Sequence, residues 1–187
     1  AATADAAFYI QTLRRTASCL AGWQSIDAFR APYRVGSSSA AATYEVANYV
    51  RQRTQADDAL LVWGYDVVVN YLSERRSPTR FAMNRVLQRS ESPYVALWRQ
   101  EFLRDVGRNE PVYIVVADEW SATPFVGNPR EHFEQFVQLR NLVQANYELE
   151  IRIGQFDVYR VRPDRLAAAI HIPSARSEES AFATPGP

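Results

Sequence analysis

The spacing of apolar positions changes several times along the chain, and each change marks an element. Between 40 and 53, Thr43, Val46, Ala47 and Val50 recur at i, i+3, i+4 and i+7, which predicts a helix with one buried stripe. Ser37, Ser38 and Ser39 offer its N-cap. A polar turn at 55–58 leads into a near-continuous apolar run at 59–63, the pattern of a strand buried on both faces. Gly64 stops that run. The stretch 67–73 then predicts a short helix, with Asp66 as its cap and Arg75 and Arg76 set against the negative end of its dipole. After Pro78, 79–82 predicts a short second strand.

The second half repeats the alternation. A polar loop at 83–91 precedes Ser92 and Pro93, a helix start, and Val95, Trp98, Phe102 and Val106 then share one face. The run VYIVVA at 112–117 is β-branched and apolar, the clearest strand of the chain. A long loop at 118–128 follows. Asn128 and Pro129 open a third core helix, with Phe133, Phe136, Val137, Leu139 and Val143 predicted inward. At 147–153 the period becomes two, Gly154–Gln155 forms a two-residue turn, and 156–161 returns. That register sets Ile153 opposite Phe156, Arg152 opposite Asp157, and Ile151 opposite Val158.

These elements predict an α/β three-layer sandwich, with a mostly parallel central sheet and a C-terminal antiparallel β-hairpin. The runs at 59–63 and 112–117 are its expected central strands. Three regions are read: an N-terminal helix and aromatic arm over 1–38, the α/β domain over 39–163, and a disordered Ala-, Ser- and Pro-rich tail over 164–187. In the first region, Phe8, Leu13 and Leu20 predict a helix over 1–20. Trp23, Phe29 and Tyr33 predict an extended arm that packs its rings on the main body.

Composition removes several classes of function. Hydrophobic residues make up 47% of the 187, enough for a sizeable core. Lys plus Arg and Asp plus Glu balance at 21 each, so no global field draws the chain to nucleic acid. Every basic residue is Arg, which fits the codon usage of a GC-rich genome. Cys19 stands alone, so no intrachain disulfide forms, and with His132 and His171 the only histidines no zinc cluster is read. No apolar run is long enough for a membrane helix. No signal peptide is read at the start, and the missing initiator Met predicts a fragment or processed product.

Candidate chemistry gathers at the carboxyl ends of the two main strands, where open α/β sheets bind ligands. Gly64, Tyr65 and Asp66 follow the first strand, and Asp118 and Glu119 follow the second. With Arg80 they make a candidate polar cleft. Each acid also has a structural reading, Asp66 as a helix cap and Asp118 as a strand end. No G-x-G-x-x-G, G-x-S-x-G or P-loop pattern occurs, so no cofactor is implied. His132 falls inside a predicted helix and His171 near the tail, which argues against a Ser-His-Asp triad. Arg75 and Arg76 read as helix-capping rather than phosphate-binding. The long loop carries Trp120 and Phe125, a candidate docking surface or lid.

The segment ATYEVANYVRQRTQADDALLVWGYDVVVNYLSERRSPTRF resembles one found in bacterial polytopic glycosyltransferases of the GT-C class, the protein O-mannosyltransferase-like or ArnT-like enzymes. PVYIVVADEW and FEQFVQLRNLVQANYELEIRIGQFDVYRV resemble its continuation, so that the resemblance covers 40–161. It implies a segment that follows the last membrane helix and folds outside the cytoplasm, in the periplasm or at the cell surface. The membrane part would transfer a sugar from a polyprenyl-phosphate donor to a lipid, polysaccharide or protein acceptor. The family's catalytic carboxylates lie upstream of such a segment, so no catalytic residue is carried over.

The expected function is therefore a non-catalytic extracytoplasmic domain with an acceptor-binding, lid or assembly role. Its expected partners are the membrane-embedded part of the same polypeptide and a glycan or lipid-linked acceptor. Two alternatives stay open: a stand-alone soluble enzyme or small-ligand binder using the cleft, and a protein interaction module docking through Trp120 and Phe125.

Overall fold

The computed structural model describes residues 2–35, 38–88, 92–118 and 127–165. The chain opens with α1 (Ala2–Leu20) and α2 (Ile26–Arg30), then a two-stranded ribbon of β1 (Arg34–Val35) and β2 (Ser38–Ser39). The stretch after α1 is thus not an extended arm. Ser25 caps α2, its side chain accepting from the Ala28 amide at 3.1 Å. Phe29 and Tyr33 meet each other within this region, their ring centres 5.2 Å apart, and Trp23 is 86% exposed.

The main body follows the expected alternation. α3 (Ala40–Arg51) starts at Ser39, whose hydroxyl accepts from the Ala42 amide, and buries Thr43, Val46, Ala47 and Val50. β3 (Leu60–Trp63), α4 (Val68–Ser73), α5 (Val95–Asn109) and β4 (Tyr113–Ala117) come next. α6 (Pro129–Gln135) and α7 (Val137–Asn146) lead to the hairpin of β5 (Tyr147–Ile153) and β6 (Phe156–Val161). Its register is the expected one, with Ile153 opposite Phe156, Arg152 opposite Asp157 and Ile151 opposite Val158, and a bulge between Leu149 and Ile151.

The main sheet has four strands in the order β3-β4-β6-β5. It is mixed rather than mostly parallel: β3 and β4 run parallel, while β4–β6 and β6–β5 are antiparallel. Alternate side chains serve two cores. Leu60, Val62, Tyr113 and Val115 meet α3 and Val69 of α4. Leu61, Trp63, Ile114 and Val116 meet Phe102 and Val106 of α5, with Phe133, Phe136, Leu139 and Leu142. Helices therefore cover both faces, giving the three-layer α/β sandwich. Each buried aliphatic contributes about 1.5–3 kcal/mol.

β3 lies at one end of this sheet rather than at its centre. Its outer edge is closed by side-chain amides. Asn70 Nδ2 donates to the Leu60 carbonyl at 2.8 Å, and Asn84 Nδ2 donates to the Val62 carbonyl at 2.8 Å. Asn84 Oδ1 also accepts from the Gly64 amide at 3.1 Å. A parallel bridge between Ala59 and Arg76 completes the cover. The expected strand at 79–82 does not form. Pro78 has no amide to give, and the Thr79 hydroxyl takes the Phe81 amide at 3.1 Å in a local turn.

Three further expectations change. Among its described residues, the loop at 83–91 holds a 3₁₀ turn, Asn84–Leu87, with Asn84 and Leu87 buried. α5 begins after the Ser92–Pro93 turn, at Val95 rather than at the proline itself. The helix expected from Asn128 and Pro129 breaks into α6 and α7 at Phe136, whose φ of −84° and ψ of 75° leave the helical region. The break seats the Phe136 ring 5.9 Å from Trp63 and 6.2 Å from Phe102. It also rotates α7 relative to a continuous helix, so that Val137 is 45% exposed and Leu142 is buried in its place. The tail expected at 164–187 lies, from 166 on, outside the described residues.

Candidate functional site

The ends of β3 and β4 approach each other closely at Gly64. Its φ is +153°, and a Cβ there would lie 2.7 Å from the Ala117 Cβ. The glycine is thus required by strand packing, and it places Tyr65 and Asp66 beyond β3, as Asp118 lies beyond β4.

Asp66 does not cap α4. Val67 holds the cap position and makes no side-chain bond there. Instead Asp66 Oδ2 accepts from the Thr43 hydroxyl of α3 at 2.6 Å. Burial pushes the Asp66 carboxyl above its ordinary value, and the Thr43 bond opposes that rise. Tyr65 donates from its hydroxyl to Gln88 Oε1 at 2.6 Å. Asp118 Oδ1 accepts from Asn128 Nδ2 at 2.9 Å, and its amide donates to the Gln155 carbonyl at 2.7 Å. Asn128 also caps α6, accepting from the Arg130 amide at 2.8 Å. The two acids therefore turn to different elements, Asp66 to α3 and Asp118 to the start of α6.

Arg80 joins neither acid. It forms a two-point pair with Glu101 of α5, at 2.7 and 2.8 Å, and its guanidinium lies 4.4 Å from the Phe81 ring centre. The hydrogen bond between them holds Arg80 above and Glu101 below their ordinary values. Glu119, Trp120 and Phe125 lie outside the described residues.

The expected helix-capping role of the arginine pair falls to Arg75. It is 8% exposed, and all its donors meet neutral oxygens. It reaches the Arg51 carbonyl at 3.2 Å and the Thr54 carbonyl at 2.8 Å, beyond the end of α3, and the Ser73 and Glu74 carbonyls at 3.1 Å, at the end of α4. Thr54 Oγ1 accepts from its Nε at 2.8 Å. One guanidinium thus serves the negative ends of two helices.

Ion pairing concentrates elsewhere. Asp157 on β6, its side chain 3% exposed, accepts from Arg130 of α6 and from Arg152 of β5. The Arg152 Nε lies 2.5 Å from its Oδ1. The hairpin register predicts the Arg152 partner. Arg130 comes from a distant element and leaves no sequence signal.

Two cavities avoid the strand ends. One, of about 540 Å³, lies between α2, α3 and α4, against Arg30, Tyr44, Glu45, Asn48 and Arg51. The Arg30 guanidinium stacks 3.4 Å from the centre of the Tyr44 ring. The other, of about 300 Å³, lies between α6, α7 and the hairpin, against Phe133, Val143, Tyr147 and Tyr159. Neither is lined by Asp66, Arg80 or Asp118. Among the described residues no group of three or more His, Cys, Asp or Glu is placed to hold a metal, and no helix is long and apolar enough to cross a membrane.

The chain is an α/β domain built on a mixed sheet. No protein-family model matches it, and no curated protein matches it. Among solved structures it is similar to the C-terminal globular domain of an oligosaccharyltransferase from Archaeoglobus fulgidus. The TM-score is 0.36 and the identity 14%, over 63% of this chain and 95% of that one.

Proposed function

We propose that the chain is the extracytoplasmic C-terminal domain of a membrane glycosyltransferase that takes its sugar from a polyprenyl-phosphate donor. The domain itself is non-catalytic and serves acceptor binding, covering of the active site or assembly with the membrane part of the same polypeptide. The resemblance over 40–161 supports the parent enzyme. The non-catalytic role is carried by one observation: the ionisable groups expected to share a cleft are tied to separate elements. Asp66 is bonded to Thr43, Asp118 to Asn128, and Arg80 to Glu101. A general acid–base pair needs both groups within reach of one substrate, and these three engage α3, α6 and α5 instead.

Two measurements test this. The coding sequence upstream of Ala1 is expected to encode about eight or more hydrophobic spans, each of about 20 residues. An initiation codon shortly before Ala1 would overturn the reading. In the full-length enzyme, Asp66→Asn and Asp118→Asn are expected to leave the sugar-transfer rate within about twofold, against the hundredfold or greater loss typical of a general acid or base. A loss of that larger size would move the chemistry into this domain.

A further inference from the structure

α1 shows two unlike faces. Thr12, Arg15 and Cys19 are half-buried, and this side packs on α2. Arg15 donates to the Ala28 carbonyl at 2.8 Å and to the Phe29 carbonyl at 3.1 Å, and its guanidinium lies 5.8 Å from the Tyr33 ring centre. The opposite side carries Ala6, Tyr9, Ile10, Leu13, Ala17 and Leu20, all exposed. Tyr9 is 66% exposed, Leu13 69% and Leu20 85%. Phe8, one turn before Thr12 on the packed side, is exposed as well; from Thr12 to Cys19 the helix is thus held from behind by its polar side and presents its apolar side to solvent, the reverse of a surface helix on a core. The exposed apolar surface continues past the helix at Trp23 and Ile26.

We infer that α1 lies in the interface of an anionic lipid bilayer, its Tyr9–Leu13–Leu20 face among the acyl chains and Arg14 at the phosphate level. Three observations choose lipid over a second copy. The apolar face is a band, widened by Tyr9 beside Ile10, rather than a narrow seam. Its repeat from Ala6 to Leu20 covers about two heptads, short of the three or four that a coiled coil needs. Charge decides the rest. Arg14 is exposed beside Ile10 and Ala17, and the one acid of α1, Asp5, lies outside the apolar repeat of 6–20, so a second α1 in parallel register sets Arg14 against Arg14. Over 1–35, Arg14, Arg15, Arg30 and Arg34 stand against Asp5 and Asp27, a local basic excess in a chain of zero net charge. Anionic headgroups supply the missing partner, and Tyr9 and Trp23 are the side chains that favour a headgroup boundary.

This inference takes its setting from the membrane-tethered reading above, and its test is separate from that one. The 187-residue chain is floated with vesicles of phosphatidylcholine and phosphatidylglycerol, and with vesicles of phosphatidylcholine alone. Binding to the anionic vesicles is expected, weakened by salt. Leu13→Glu with Leu20→Glu is expected to lower partition at least about tenfold. The unfolding midpoint should not change, because both side chains are exposed. Arg14→Gln is expected to weaken binding about fivefold, on anionic vesicles only. The inference is overturned if the wild-type chain fails to float with anionic vesicles, or if the double variant floats equally well. It also falls if the chain forms a concentration-dependent dimer that the double variant dissolves, which would assign the face to a second copy. Vesicle binding in a protein whose gene encodes no upstream span would sustain this inference while removing the glycosyltransferase reading. Upstream spans without vesicle binding would do the opposite.

Discussion

The Thr43 hydroxyl donates to Asp66 Oδ2 at 2.6 Å, joining the buried stripe of α3 to the acid that follows β3. Burial raises the Asp66 pKa above its ordinary value of 3.8, and the Thr43 bond only partly offsets this. The folded state then binds a proton more tightly than the unfolded one. In the window above 3.8, the unfolded chain carries fewer protons, so stability falls as pH rises through it. Asp66→Asn keeps an acceptor for Thr43 and removes the charge. It is expected to unfold at a higher temperature than wild type at neutral pH, with the difference vanishing below pH 3.8. Thr43→Val removes the donor and is expected to cost about 1–3 kcal/mol, while moving the Asp66 carboxyl resonance to titrate at still higher pH. A Thr43→Val protein with unchanged Asp66 titration would contradict this account.

Asn84 closes the free edge of β3 by bonding both the Val62 carbonyl and the Gly64 amide. Asn84→Ala leaves two backbone groups without these partners at a residue that is 0% exposed. The expected cost is about 2–4 kcal/mol in denaturant unfolding, since each buried group carries a penalty of about 1–3 kcal/mol. Faster exchange of the Gly64 amide should accompany it. Equal loss of protection across all of β3 and β4 would instead mean that the variant opens globally.

Gly64 and Ala117 give a double-mutant cycle. Gly64→Ala meets two obstacles, the contact of 2.7 Å with the Ala117 Cβ and the backbone φ of +153°. Ala117→Gly removes only the first. The single Gly64→Ala change is expected to destabilise by more than about 2 kcal/mol, and the pair with Ala117→Gly to recover part of that. Full recovery would show that the backbone conformation costs nothing. No recovery would show that the contact between the two residues does not contribute.

How far the sequence reaches can be judged from these same residues. The stripe of Thr43, Val46, Ala47 and Val50 and the hairpin register from Ile153 to Val158 were legible because each repeats a local period. The place of β3 was not. A run of apolar residues signals burial on both faces, and β3 is so buried, but the same run carries no information on what satisfies its outer edge. Here two asparagines do so from 10 and 22 residues away. Phe136 shows the opposite failure. Its inward position is legible, but the helical period of the sequence runs on through it, and packing against Trp63 and Phe102 breaks that period. At the strand ends, the chain order correctly placed Asp66 and Asp118 beyond β3 and β4. It could not show that Thr43, Asn128 and Glu101 would divide the three ionisable groups among separate helices.

The pairs at Asp157 should differ in strength although both are arginine–carboxylate contacts. The Arg152 side chain is 64% exposed and that of Arg130 only 20%, while the carboxylate they share is 3% exposed. An exposed arginine contributes little, because water competes for it and salt screens it, and such pairs contribute about 0–1 kcal/mol. Removing the buried partner leaves a carboxylate with too little compensation, at a cost of about 3–5 kcal/mol. Arg130→Ala is therefore expected to destabilise several times more than Arg152→Ala. The Arg152→Ala effect should shrink in high salt, and that of Arg130→Ala should persist. Arg130 also joins α6 to β6, so its loss should raise exchange at the start of α6 before that of the hairpin. Equal destabilisation by the two substitutions, with equal salt dependence, would mean that Asp157 reaches water far more freely than its burial implies.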